Sequence, residues 1–123
     1  PENNFDAVIC AEVLEHLPFT EFTVGLKEIK RVTRHGAVIS LPDARSTLID
    51  FHLKLPWLPR LAGFLKIANG RGHTFDGQHY WEIGKRGFAL KRVKRRLAET
   101  GFKLKTDFTK AESPTIHFFI LEK

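Results

Sequence analysis

The chain has 123 residues, 42% of them hydrophobic, and a formal net charge of +6. That length supports one modest core and excludes several independent domains within these residues. No run approaches the roughly 20 apolar residues that a membrane-spanning helix needs. The opening PENNFD does not read as a secretory signal, and the single cysteine, Cys10, excludes an intramolecular disulfide framework. A reducing, cytoplasmic setting is the expectation.

Phe5 to Cys10 is a short apolar run that reads as a strand covered on both faces. Glu12, Glu15 and His16 come directly after it, where the strand's carboxyl end opens. Ligands of open α/β sheets collect at that edge. Thr20 to Arg34 carries Phe22, Leu26, Ile29 and Val32 at helical spacing, with Thr20 as N-cap and Gly36 as the stop. Ala37 to Ser40 is a second buried strand, and the strand–helix–strand order implies parallel pairing through a right-handed crossover. The loop Ser40 to Asp43, with Pro42, returns to the same carboxyl edge.

Thr47 to Ala68 is rich in large apolar residues and is interrupted by Pro56 and Pro59, which predicts two short helices joined at Pro56–Pro59. Trp57, Leu58, Leu61 and Phe64, with Lys54, Arg60 and Lys66 nearby, fit a lid, a membrane-facing surface or a helical pair packed on the core. Asn69 to Gly77 is turn chemistry. Beyond it, His79 can titrate near neutral pH, and Tyr80 and Trp81 offer flat apolar surface. His73, Asp76 and His79 also suit a metal, yet no further ligand pair stands at a standard spacing, and no metal is assigned.

Phe88 to Thr100 is a basic amphipathic helix whose Leu90, Val93 and Leu97 share one face and which Gly101 ends. Its lysines and arginines read as a solvated face, without the interleaved aromatics of a nucleic-acid surface. Phe102–Phe108 and Thr115–Lys123 close the chain as an antiparallel pair. The expected spatial order of the four strands is first, second, fourth, third.

The segment FDAVICAEVLEHL, with LKEIKRV and GAVISLP after it, resembles the fourth strand and the adjoining loop, helix and strand of the Rossmann-like S-adenosylmethionine-dependent methyltransferases. The ubiquinone-type small-molecule branch is the most similar. The resemblance implies an α/β fold, the carboxyl-terminal half of a methyltransferase sheet. Its strands would be parallel apart from one antiparallel terminal strand, with helices on both faces and a helical insertion over residues 47–76. It implies methyl transfer from S-adenosylmethionine to a small or lipid-like acceptor, and in most of the family no metal is needed. By resemblance Cys10, Ala11, Glu12 and Val13 line the methionyl side of the cofactor, largely through backbone, and His16 sits near the transferred methyl. Pro42, Trp57, Tyr80 and Trp81 would face the substrate, His79 would serve as its base, and Glu15 would be a helix-start residue.

No glycine-rich GxGxG loop occurs in these residues. The chain is therefore expected to bind the cofactor poorly by itself and to be inactive alone. A non-catalytic assembly module and a basic peripheral membrane protein are the rival classes, and nucleic acid is not an expected partner. An open first strand invites pairing with a second copy, so a homodimer is expected.

Overall fold

The computed structural model describes residues 1–123, the side chains of residues 62 and 64 excepted, so that Phe64 of the apolar set around Trp57 lies outside the described residues. In chain order the elements are β1 (Phe5–Ala11), a 3₁₀ turn (Leu14–His16), α1 (Phe19–Val32) and β2 (Thr33–Pro42). They continue with β3 (Ser46–Leu53), β4 (Leu61–Ile67), α2 (Leu90–Glu99), β5 (Lys103–Lys110) and β6 (Ser113–Glu122). The main sheet has the order β1-β2-β6-β5. β1 and β2 run parallel, and β6 is antiparallel to both β2 and β5. This is the strand order expected from the sequence.

The core reflects the period-2 alternation of the strands. Cys10 pairs with Ile39 and Val8 with Ala37, which places these side chains on one face together with Leu41, Phe119 and Leu121. Against that face α1 packs Phe22 and Leu26, and α2 packs Val93 and Leu97. Both helices therefore cover the same side of the sheet, not one side each as expected. Lys30 of α1 donates a 2.6 Å hydrogen bond to the carbonyl of Gly101, just beyond α2, and the Arg92 guanidinium of α2 lies 4.8 Å from the Phe19 ring. The opposite face of the sheet carries Ile9, 78% exposed, and Phe5, 53% exposed. β1 is thus covered on one face only, since among the described residues no helix is left to cover the other.

α1 ends at Val32 and not at Gly36, and its first cap is Pro18 instead of Thr20. Gly36 lies inside β2, where a Cβ would overlap the Leu121 carbonyl oxygen of β6. The glycine is there to let two backbones approach, a use that resembles a helix stop when only the sequence is read.

The segment after β2 departs most from expectation. It forms a two-stranded antiparallel hairpin, β3–β4, in place of two helices. Pro56 and Pro59 fall in the connection between the strands, where no ladder donor is needed. Runs of Leu, Ile and Phe fit a strand as readily as a short helix. Every residue of β3 is exposed, so the hairpin is held at its root rather than by a core.

That root is an ion network. The Asp43 side chain is fully buried. It accepts hydrogen bonds from Arg45 Nε at 2.9 Å, from Arg45 Nη2 at 2.7 Å and from Lys66 Nζ at 2.9 Å. Lys66, at the end of β4, also donates to the Pro114 carbonyl of β6. Arg45 Nη2 reaches His117 Nδ1 at 3.3 Å, His117 Nε2 donates to Asp107 at 2.7 Å, and Lys94 of α2 pairs with the same Asp107 at 2.7 Å. Burial opposes the charge on Asp43, but the hydrogen bonds from Arg45 and Lys66, with the His117 imidazole 3.7 Å away, outweigh it and hold the carboxyl well below the usual carboxylate range.

Replacing Asp43 leaves two cations unpaired in a mostly buried setting. Asp43→Ala is expected to cost about 3 kcal/mol at pH 7, measured by urea denaturation. The folded pKa is depressed, so the stabilisation is complete above the unfolded value of about 3.9 and is lost as pH falls toward the folded one. The stability gap between wild type and variant should therefore narrow on acidification below about pH 4.

Candidate functional site

The carboxyl edge of β1 and β2 is where the polar residues meet. β1 ends at Ala11, and Glu12 turns the chain with a left-handed backbone, φ 52°. Its amide still donates to the Ser40 carbonyl at 3.1 Å, so the turn remains pinned to β2. Leu14 to His16 then form the 3₁₀ turn, with Leu14 and Glu15 buried. Ala11, Glu12 and Val13 are exposed, and Val13 is 51% so. Cys10 instead points into the core, where burial raises its thiol pKa.

The segment 77–84 is stitched onto this edge by backbone bonds. Tyr80 N–H donates to the Glu15 carbonyl at 2.9 Å, Ile83 N–H to Pro42 at 3.0 Å and Ala44 N–H to Ile83 at 2.8 Å. The Trp81 indole N–H donates to the Leu17 carbonyl at 3.1 Å. Asp76 accepts from the amides of Gln78 and His79 at 2.9 and 2.8 Å, which shapes the turn that delivers His79. The His16 and His79 rings come to 5.2 Å centroid to centroid.

Each imidazole is oriented by a partner. His16 Nδ1 lies 2.9 Å from the Gln78 carbonyl, which can only accept, so Nδ1 carries the proton. His79 Nδ1 lies 3.0 Å from Glu82 Oε1, and that carboxylate raises the imidazole pKa. Glu15 is the exception: its side chain is fully buried, and both carboxylate oxygens lack a hydrogen-bond partner among the described residues. Burial raises its pKa. One ligand atom each from Glu15, His16 and His79 lie within 4.8 Å of one another, and Asp76, His79 and Glu82 form a second such group.

A cavity of about 430 Å³ opens at this edge, lined by Glu12, Pro42, Asp43, His79, Glu82 and Thr115 among others. It brings together three of the residues singled out from the sequence, Glu12, Pro42 and His79. Tyr80 stands 45% exposed, its ring 4.6 Å from that of Phe75. Trp81 does not form a substrate wall. It is fully buried among Phe19, Phe22 and Phe88, because its bulk completes the core beneath the edge. Trp57 does not line the cavity either: it lies in the turn of the β3–β4 hairpin, 80% exposed.

Sequence reading missed Glu82, Asp43 and the burial of Glu15. Glu82 carried a signal, standing three residues after His79. Asp43 stood in the Ser40 to Asp43 loop at the carboxyl edge with Arg45 two residues on, but its bond to Lys66 and its approach to His117 carried no signal, because those residues come from distant segments.

Residues 1–41 match the family model described as a methyltransferase domain. No curated protein matches the chain. Among solved structures, it is similar to an S-adenosylmethionine-dependent methyltransferase from Mesorhizobium loti, with a TM-score of 0.61 at 10% identity, covering 100% of this chain and 64% of that one. It is also similar to the 1,6-didemethyltoxoflavin-N1-methyltransferase of Burkholderia thailandensis, solved with 1,6-didemethyltoxoflavin and S-adenosylhomocysteine (TM-score 0.61, 12% identity, 100% and 45% covered). The glycopeptide N-methyltransferase MtfA is similar as well, with a TM-score of 0.58 at 13% identity and 96% and 57% covered. The chain thus spans about half to two thirds of the length of these proteins. The parallel β1–β2 pair, the antiparallel β6 and the match over residues 1–41 together make this the fold of the Rossmann-like S-adenosylmethionine-dependent methyltransferases.

Proposed function

We propose that the protein carrying this chain transfers a methyl group from S-adenosylmethionine to a small or lipid-like acceptor. The observation that carries the reading is the open end of β1, where Ala11 to Val13 stand exposed beside a cavity that His79 lines. These three exposed residues would take the polar methionyl part of the cofactor. When bound, S-adenosylmethionine supplies an electrophilic methyl on a sulfonium. The ligands of the Burkholderia thailandensis neighbour, S-adenosylhomocysteine and 1,6-didemethyltoxoflavin, support a small-molecule acceptor.

The chain's residues would then position the acceptor and manage its proton. Pro42 and Tyr80 border its approach, and His16 stands across from His79. With Nδ1–H donated to Glu82, His79 keeps a free lone pair on Nε2 to accept the proton of a hydroxyl or amine. Glu82 favours the resulting imidazolium. Such catalysis is mostly positioning and exclusion of water.

A titration with S-adenosylhomocysteine monitored by amide NMR tests the cofactor edge. The expected outcome is weak binding with shifts gathered at Ala11 to Val13 and His16. Shifts elsewhere, or none at millimolar ligand, would overturn it.

Two surfaces bear on partners. The β3–β4 hairpin exposes Leu48, Ile49, Phe51 and Leu61 as well as Trp57, with Lys54 and Arg60 at its turn. That pattern favours an interfacial contact with a lipid surface, which would suit a lipid-like acceptor. Sedimentation with anionic vesicles should fall several-fold in Trp57→Ala, and unchanged pelleting rules the contact out. β1 is an edge strand with a bare apolar face, so a second copy is expected to pair with it. Light scattering should report a dimer at high concentration; a clean monomer would refute the pairing.

A further inference from the structure

We infer that a second cavity, at the seam where the β3–β4 hairpin meets β5 and β6, binds a phosphate group. Its volume is about 490 Å³, and its polar lining is Arg45, Lys66, Thr109 and His117. Gly63 and Leu65 of β4 add apolar wall, and among the described residues no acid lines it. It shares no residue with the cavity that His79 lines.

The balance of charge points to an anion. Arg45 and Lys66 share a single counter-ion, the buried Asp43, so the cluster holds two cations to one carboxylate. Farther along the network Lys94 is matched by Asp107, which leaves the surplus positive charge at the cavity. The Lys66 side chain is 5% exposed, and a cation so far out of water is stabilised by more negative charge than a shared carboxylate supplies. Asp43 lines the first cavity and not this one, so the wall presented here is cationic.

Donors are left over as well. Arg45 spends Nε on Asp43 and Nη2 on Asp43 and His117, while Nη1 has no partner among the described residues. Lys66 spends two of its three N–H groups, on Asp43 and on the Pro114 carbonyl. The Thr109 hydroxyl lies 3.0 Å from His117 Nδ1, which accepts there because Nε2–H is committed to Asp107. If that hydroxyl turns to a ligand, Nδ1 still faces Arg45 Nη2 at 3.3 Å, and no group is orphaned.

A guanidinium, an ammonium and a hydroxyl thus offer donors to one space, and phosphate answers all three with its charge and three strong acceptor oxygens. The bond to Asp43 fixes the guanidinium before any ligand arrives, so little rotamer freedom is lost on binding. Lys66 belongs to β4, Thr109 to β5 and His117 to β6, so a bound phosphate bridges hairpin and sheet. The phosphate comes either from a soluble ligand or from the headgroup of a phosphomonoester lipid. Neither source depends on the methyl-transfer reading.

Amide NMR and thermal melting of the full chain with inorganic phosphate test the site, with sodium chloride at equal ionic strength as control. Phosphate should shift Arg45, Lys66, Thr109 and His117 with millimolar affinity and raise the melting temperature. Lys66→Met should weaken binding about tenfold. Thr109→Val, whose side chain bonds only His117, should weaken it several-fold with unchanged circular dichroism. Lys91→Gln, which removes an exposed cation of α2, should bind like wild type. Given those shifts, stronger pelleting on phosphatidic acid than on phosphatidylserine vesicles of matched surface charge assigns the phosphate to a lipid headgroup, and equal pelleting assigns it to a soluble ligand. The inference is overturned if phosphate shifts nothing beyond chloride, if Thr109→Val binds as tightly as wild type, or if Lys91→Gln loses as much as Lys66→Met.

Discussion

The site depends on the docking of one tryptophan. Trp81 is the largest fully buried side chain and lies against three phenylalanines, two from α1 and one preceding α2. Burial of an aromatic of this size contributes on the order of 3 kcal/mol, and its indole N–H would be costly to leave unpaired. The Leu17 carbonyl satisfies it. That single bond joins the loop carrying His79 to the turn carrying Glu15 and His16. The flanking residue Tyr80 adds a backbone bond to Glu15 itself. Core packing and site geometry are consequently one event: the ring that fills the core also sets the distance between the two histidines.

A second level of organisation is electrostatic. Asp43 stands at the end of β2, where the cavity, the hairpin and β6 converge. One buried carboxylate bound by Arg45 and Lys66 is a poor source of net stability, because desolvation consumes most of the attraction. It is a good source of definition. The hairpin has no core to hold it, so its angle to the sheet is set by Lys66, which ties β4 to Asp43 and to the Pro114 carbonyl together. From His117 the chain of contacts passes to Asp107 and Lys94, linking the site edge to α2.

What the sequence discloses depends on range. The helix Phe19–Val32 is written in a 3.6 periodicity and the strands β1, β2, β5 and β6 in short apolar or β-prone runs, which need no knowledge of the rest of the chain. Their order was legible as well. The hairpin was illegible because an apolar run of Leu, Ile and Phe with two prolines fits either a broken helix pair or two strands. The choice falls to pairing partners that composition does not name. Gly36 read as a helix stop, since nothing local reveals that β6 presses against it. Glu12 and Pro42 were visible as polar or rigid residues at strand ends, and His79 as a titratable residue just after a turn segment. Glu15 was visible too, but its burial is imposed by a loop far along the chain, and only the folded protein makes it unusual. Trp81 erred the opposite way: an aromatic beside a candidate base looks like a substrate surface until the core claims it.

Glu12 carries one more implication. A left-handed backbone costs an ordinary L-residue about 1–2 kcal/mol, a cost that glycine escapes. Drift under selection for folding alone would replace this glutamate by glycine or asparagine. Its carboxylate stays at the mouth of the cavity, beside Glu15 and the histidines. The position therefore discriminates between two histories for related chains. Lineages in which the edge still performs chemistry should hold an acid here against the strain, and lineages reduced to a scaffold should have relaxed to the small residues that the turn itself prefers.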